Sequence, residues 1–140
     1  MKASIFTLAL LFIFISCDKP NTTNVASDDA VQVVSSAYFS NVSTDDYHIS
    51  AANIVGDRLE ITVNAGGGCG ELNFSLLANE LVIETSPEQQ MIRLILDDQD
   101  ICEALLEEKR WYDISSLKIG SHGTVILLLD GFDGRLEYKY

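Results

Sequence analysis

The segment RLEITVNA, residues 58–65, alternates apolar and polar residues without a break. Leu59, Ile61 and Val63 fall on one set, and Glu60 and Thr62 on the other. Successive side chains of a strand point to opposite faces, so this pattern gives a strand one buried face. Wound into a helix it would scatter the same apolar residues around the axis. The period recurs. YHISAANIV runs up to Gly56-Asp57, a two-residue turn signal, so residues 47–64 read as a hairpin. ELNFSLL places Leu72, Phe74 and Leu76 together, and ELVIET follows a short turn expected at Ala78-Asn79. MIRLIL aligns Ile92, Leu94 and Leu96 with Arg93 opposite. TVILLLD and RLEYKY close the chain around the turn-rich Asp130-Gly131-Phe132-Asp133-Gly134. Val31 to Phe39 adds one more strand candidate. Eight or so short strands at regular spacing predict an all-β fold, a small antiparallel β-sandwich, with a β-barrel as the alternative.

CEALLEEKRWYD, residues 102–113, contradicts its surroundings, because it is built from strong helix formers. Its neighbours are strands, and the short DDQD link before it suits a hairpin. Strand preference depends on context more than helix preference does, so the segment is read as a strand. No internal repeat or heptad pattern is present, and residues 31–140 are expected to form a single β-domain.

Between two of these strands lies NAGGGCGELNF, the densest glycine run in the chain, ending in a cysteine. The N-terminus fixes the setting for that thiol. One Lys at position 2 precedes an apolar stretch from Ala3 to Ile15, then the small residue Ser16, then Cys17. This is the layout of an export signal. The apolar run is shorter than the ~20 residues a spanning helix needs. Phe14-Ile15-Ser16-Cys17 resembles a bacterial lipoprotein lipobox, although Phe14 and Ile15 depart from the usual Leu and small residue. The resemblance implies a lipoprotein signal peptide at 1–16, with acyl chains of the palmitate class on Cys17. Residues 17–30, rich in Asn, Thr, Ser and Asp, would be a flexible tether. Each buried CH₂ of an acyl chain contributes about 0.8 kcal/mol, which makes the membrane an expected partner through Cys17. The expected location is the cell envelope, with the outer membrane, periplasmic or surface face, preferred over the inner.

Charge narrows the partners further. The chain carries 9 Lys and Arg against 21 Asp and Glu, a net charge of −12. Removing residues 1–16 takes away Lys2 and no acid, so the exported chain is more acidic still. Such a surface repels phosphate backbones, and nucleic acid is excluded as a partner.

Of the three cysteines, Cys17 is assigned to lipid, which leaves Cys69 and Cys102 as an even pair in an oxidising compartment. One disulfide is the expected result. A phosphate loop would need a Lys after the glycines, and zinc would want more than the two His residues of this chain. A nucleophilic Cys would want a His partner and a reducing compartment. The glycines then let the backbone turn where Cys69 meets its partner.

Three stretches taken together, Gly67 to Phe74, Cys102 to Leu105 and Tyr112 to Ser116, resemble a family of small uncharacterised lipoproteins of Bacteroidota. That family carries a Gly-Gly-Cys, Cys-Glu-Ala-Leu, Asp-Ile/Leu-Ser pattern. The likeness covers residues 54–140 and implies architecture and location, not a chemistry.

Chemistry-bearing clusters are sparse. Asp97, Asp98 and Asp100 in DDQD, and Asp130 with Asp133, offer hard oxygen ligands suited to calcium, but neither run has EF-hand spacing. A solvated turn is the simpler reading of both. His48 follows Asp45 and Asp46, and His122 sits in GSHGT, both as surface candidates. Trp111 and Tyr112 beside an acid could stack on a sugar or peptide, against core packing as the plainer role. No hydrolase or metalloprotease motif is present, no catalytic residue is assigned, and no cofactor is implied. Two function classes remain. The preferred one is a lipid-anchored, non-catalytic envelope lipoprotein, a binding or structural module with an envelope protein or glycan as partner. The alternative is an exported hydrolase or metal-dependent enzyme whose site is assembled from distant residues. An exposed apolar face would favour the first, and a deep pocket with convergent carboxylates the second.

Overall fold

A computed structural model describes residues 29–70, 72–99, 102, 104–120 and 123–140. Two sheets pack face to face without closing into a barrel. The elements are β1 (Asp29–Ala30), β2 (Gln32–Val34), helix α1 (Ser36–Asn41), β3 (Tyr47–Val55) and β4 (Arg58–Gly67). They continue with β5 (Leu72–Ile83), β6 (Glu88–Asp98), β7 (Ala104–Asp113), a single 3₁₀ turn at Ser115–Leu117, β8 (Thr124–Leu129) and β9 (Leu136–Lys139). The first sheet has the order β1-β7-β4-β3 and the second β2-β5-β6-β8-β9. The sandwich agrees with the expected fold, but its sheets are mixed. β1 runs parallel to β7, β2 to β5, and β6 to β8.

The alternating residues do what their period demands. Leu59, Ile61 and Val63 from β4 and Tyr112 from β7 meet Leu76 from β5, Ile92, Leu94 and Leu96 from β6, Val125 and Leu127 from β8, and Tyr138 from β9. Each fully buried large side chain of this kind contributes about 1.5–3 kcal/mol before the entropy of ordering is subtracted. Ile114, just before the 3₁₀ turn, and Leu117, within it, join the same core cluster and are fully buried.

The hairpin at 47–64 forms with Val55 opposite Arg58. Gly56 adopts φ +60° and Asp57 does not go positive, the arrangement of a turn with glycine at its first central position. The segment 102–113 is a strand from Ala104 onward. It pairs with β4 along its whole length, from Arg58 opposite Asp113 to Gly67 opposite Ala104. Tertiary pairing outweighs its helix propensity, and Lys109 closes an ion pair with Glu60 on the adjacent strand at 2.6 Å.

Several expectations are corrected. The turn expected at Ala78-Asn79 does not form. β5 runs straight through it and absorbs the extra residues in a bulge between Ala78 and Val82. The Asn79 side chain accepts the Leu81 N–H at 3.0 Å, supplying the local bond that a turn would otherwise have made. The DDQD link is not a hairpin, because β6 and β7 belong to different sheets and the chain crosses between them there. Val31–Phe39 is not one strand. After β2, the Ser35 side chain accepts the Tyr38 N–H and starts α1. Asp29 and Ala30, placed with the tether in the sequence, already form β1.

Cys69 and Cys102 are joined, with Cα atoms 5.7 Å apart. The bridge ties the end of the glycine run to the start of the β7 segment. Gly66 and Gly67 finish β4, and Gly68 (φ +115°) turns the chain so closely past β7 that an added Cβ would lie 3.3 Å from the Ala104 Cβ. Among the described residues the glycines therefore lead off a strand rather than into a helix, unlike the helix N-terminus an anion cradle uses.

Candidate functional site

The outer face of the second sheet is where the sequence breaks its own pattern. Ile92, Leu127 and their neighbours point inward, so Met91, Ile126 and Leu128, one residue out of phase, point outward. Met91 stands opposite Leu128 in the ladder, and the bulge of β5, with Leu81, stands opposite Met91 on its other side. Leu81 is 63% exposed, Met91 39% and Leu128 38%. Ile83, on β5 beyond the bulge, is also exposed. Water-facing strands normally carry polar residues at such positions, so a contiguous apolar row is informative where a lone exposed Leu would not be.

The same face is apolar farther along, but there it is covered. Leu77 and Ile95 lie under Phe39 of α1, with Val34 and Val42 packed around them. Arg93 locks this cover in place. Its guanidinium lies 5.0 Å from the Phe39 ring centroid, donates to the Phe39 carbonyl at 2.9 Å and pairs with Asp130 at 2.7 Å. The face is thus divided into a part sealed by α1 and a part left open.

Beside the open part lies a cleft of about 310 Å³ lined by Gln89, Ile126, Leu128, Leu129, Phe132, Asp133, Gly134 and Arg135. Phe132 forms one wall and also packs against the main core. At Gly134 an added methyl would overlap the Phe132 ring as it stands, so the ring would have to shift. Leu136 faces inward opposite Leu127, so Arg135 falls on the outer side next to Leu128. Arg93, Lys109, Arg110, Lys118 and Lys139 each have a carboxylate within ion-pair distance, and Arg58 lies 4.5 Å over the Trp111 ring. Arg135 has no ion-pair partner among the described residues.

A second cleft, about 340 Å³, is lined by Thr44, Asp45, Asp46, Tyr47, His48, Ile49, Asp130 and Gly131. It gathers carboxylates and a histidine, yet the key groups are already engaged. Asp45 accepts the Asp98 N–H at 2.8 Å, Asp130 holds Arg93, and the Tyr47 hydroxyl donates to the Leu94 carbonyl at 2.6 Å. Burial, with the Asp130 charge added, raises the Tyr47 pKa, so this phenol stays protonated as a donor. Among the described residues no three His, Cys, Asp or Glu side chains are grouped to hold a metal.

The residues singled out in the sequence scatter. Asp97 and Asp98 are adjacent on β6 and so point to opposite faces; Asp100 lies outside the described residues. Asp130 and Asp133 are separated in role, one pairing Arg93 and the other lining the Arg135 cleft. Trp111 and Tyr112 also diverge. Trp111 is half-buried under Arg58, while Tyr112 is fully in the core, where burial raises its pKa. Tyr112 cannot reach a ligand, so the pair does not form a stacking platform. Cys17 and His122 lie outside the described residues. The open apolar face was not singled out in the sequence, though a signal existed. VILLL at 125–129 has no polar residue in either alternate set, so one set has to face outward.

No protein-family model matches this chain, and no curated protein matches it. Among solved structures it is similar to the crystal structure of a protein of unknown function, DUF1344, from Bacteroides vulgatus ATCC 8482. The identity is 14% and the TM-score 0.49, over 80% of this chain and 56% of that one. No helix among the described residues is long and apolar enough to cross a membrane.

Proposed function

We propose that this chain is a lipid-anchored, non-catalytic module of a bacterial cell envelope that binds a partner through the outer face of its second sheet. The observation that carries the binding role is the open row of Leu81, Met91 and Leu128 on three neighbouring strands of the second sheet. Interaction sites are the usual reason for a soluble domain to keep such a row in water. Anchoring through Cys17 is supported by the order of Lys2, apolar stretch, Ser16 and Cys17, and by the likeness to small Bacteroidota lipoproteins. The engagement of Asp45, Asp130 and Tyr47 in the cleft that also holds Asp46 and His48 weighs against the hydrolase alternative.

The test is capture from the cell's own detergent-solubilised envelope, wild type against Met91→Glu. Met91 is exposed, so the charge should leave the fold intact, which a melting curve verifies. The expected result is an envelope component, protein or glycan, retained by the wild type and lost with Met91→Glu. Identical retention by both would show that this face is not the binding surface.

A further inference from the structure

The open face and the cleft beside it make one continuous surface, and its chemistry is asymmetric. Leu81, Met91 and Leu128 lie on three neighbouring strands, β5, β6 and β8, and Arg135 follows next to Leu128 at the entry to β9. Strands in a sheet are about 4.8 Å apart, so the row crosses roughly 15 Å from its apolar end to the guanidinium. All three apolar side chains are exposed, and Met91 is the most adaptable in shape. At the far end stands Arg135, which has no carboxylate within ion-pair distance among the described residues.

We infer that this row is a binding site for an amphiphilic anion, an aliphatic chain ending in a single carboxylate, laid across the strands with its head at Arg135. The inference rests on the binding role proposed for this face and names its ligand class. Two features select this chemistry over a peptide. β6 and β8 both have neighbours on each side where the row crosses them, so their backbone groups are used in the ladder and no strand can be added there. Recognition is left to side chains, which offer apolar contact and one planar donor. A guanidinium matches a carboxylate with two parallel bonds. Asp133 in the cleft and Glu137 on β9 stand near the head position and disfavour heads of higher negative charge. The cleft of about 310 Å³ lies at the head end only, beside Leu128 and Arg135, and is at the lower end of the ~300–1,000 Å³ of small-molecule sites, while Leu81 and Met91 lie on the open face beyond it. Phe132, which packs over Gly134 and against the core, forms the wall at the head end.

The test uses the exported protein carrying Cys17→Ser, which bears no acyl group of its own. Dodecanoate and dodecanol are titrated below micelle formation and followed by calorimetry and backbone NMR. Dodecanoate is expected to bind with one-to-one stoichiometry and to shift the signals of Met91, Leu128 and Arg135. Arg135→Gln should weaken dodecanoate about tenfold and leave dodecanol unchanged, and Leu128→Glu should abolish both. No saturable shift with dodecanoate, or equal binding of dodecanoate by wild type and Arg135→Gln, overturns the inference. If Met91→Glu still costs the protein an envelope partner while dodecanoate fails to bind, the ligand class is wrong and the binding face stands. If dodecanoate fails and Met91→Glu loses nothing, both fall.

Discussion

Tyr138, on β9 at the edge of the second sheet, donates its hydroxyl at 2.6 Å to Asp57, in the turn that joins two strands of the first. Lys118 Nζ reaches the other carboxylate oxygen at 2.8 Å, and the Asp57 carbonyl accepts the Ile114 N–H. One turn residue thus fastens both sheets and the 3₁₀ segment at the same end of the sandwich. Lys118 first, and then Tyr138, lower the pKa of Asp57 below its ordinary value of 3.8. A depressed carboxylate stabilises the fold fully above its unfolded value, and that contribution is lost as pH falls through the folded value. Asp113, held by Ser115, acts in the same sense. Melting temperature should therefore be flat above about pH 5 and fall below pH 4, with a smaller fall in Asp57→Asn. An unchanged acid slope in that variant would remove Asp57 from the account. Tyr138→Phe should cost about 1 kcal/mol at neutral pH, read from urea denaturation.

The disulfide closes a loop with a sequence separation of 33. By loop-closure entropy, Cys69→Ala with Cys102→Ala should cost roughly 3–4 kcal/mol. Thiol titration of the oxidised native protein should find neither cysteine free. Binding at the Arg135 face, remote in sequence from the bridge, should survive at temperatures where the double variant is folded.

Phe39 is 2% exposed and is the principal cover over Leu77 and Ile95. Phe39→Ala should destabilise by about 3–4 kcal/mol and enlarge the apolar face. Increased binding of a hydrophobic dye at temperatures below the transition would register the uncovering. Arg93→Met keeps much of the side-chain volume but loses the bond to the Phe39 carbonyl and the pair with Asp130, and should cost less than Phe39→Ala.

Cys17→Ser should convert a detergent-phase protein into an aqueous-phase or unprocessed one, with the corresponding loss of acyl mass. Unchanged partitioning and mass in the variant would refute the lipid anchor and leave the domain's binding face to be judged alone.

Gly134→Ala tests whether the head end of the site is preformed. With Phe132 displaced by the new methyl, dodecanoate binding should weaken several-fold in the calorimetric titration, while envelope capture, measured separately, still distinguishes wild type from Met91→Glu.

Period two was enough to place β4, the outward and inward sets of β6, and the hairpins around Gly56-Asp57 and Asp130–Gly134, because those features depend on neighbours close in the chain. The cysteine count, with Cys17 set aside as the expected lipid site, was enough to pair Cys69 with Cys102. Alternation assigns residues to two faces, but it says nothing about which strands lie side by side. That is why the sheet change between β6 and β7, the parallel pairing of β6 with β8 and the unbroken β5 came only from tertiary structure. Those non-local pairings also decided the site. Leu77 and Leu128 both face outward from apolar runs, and no local pattern distinguishes them. Phe39, brought across by a six-residue helix, seals the first, while nothing among the described residues packs over the second. Burial is a property of what arrives from elsewhere in the chain. The sequence determined which residues could face outward, and only the packing of α1 decided which of them stayed in water.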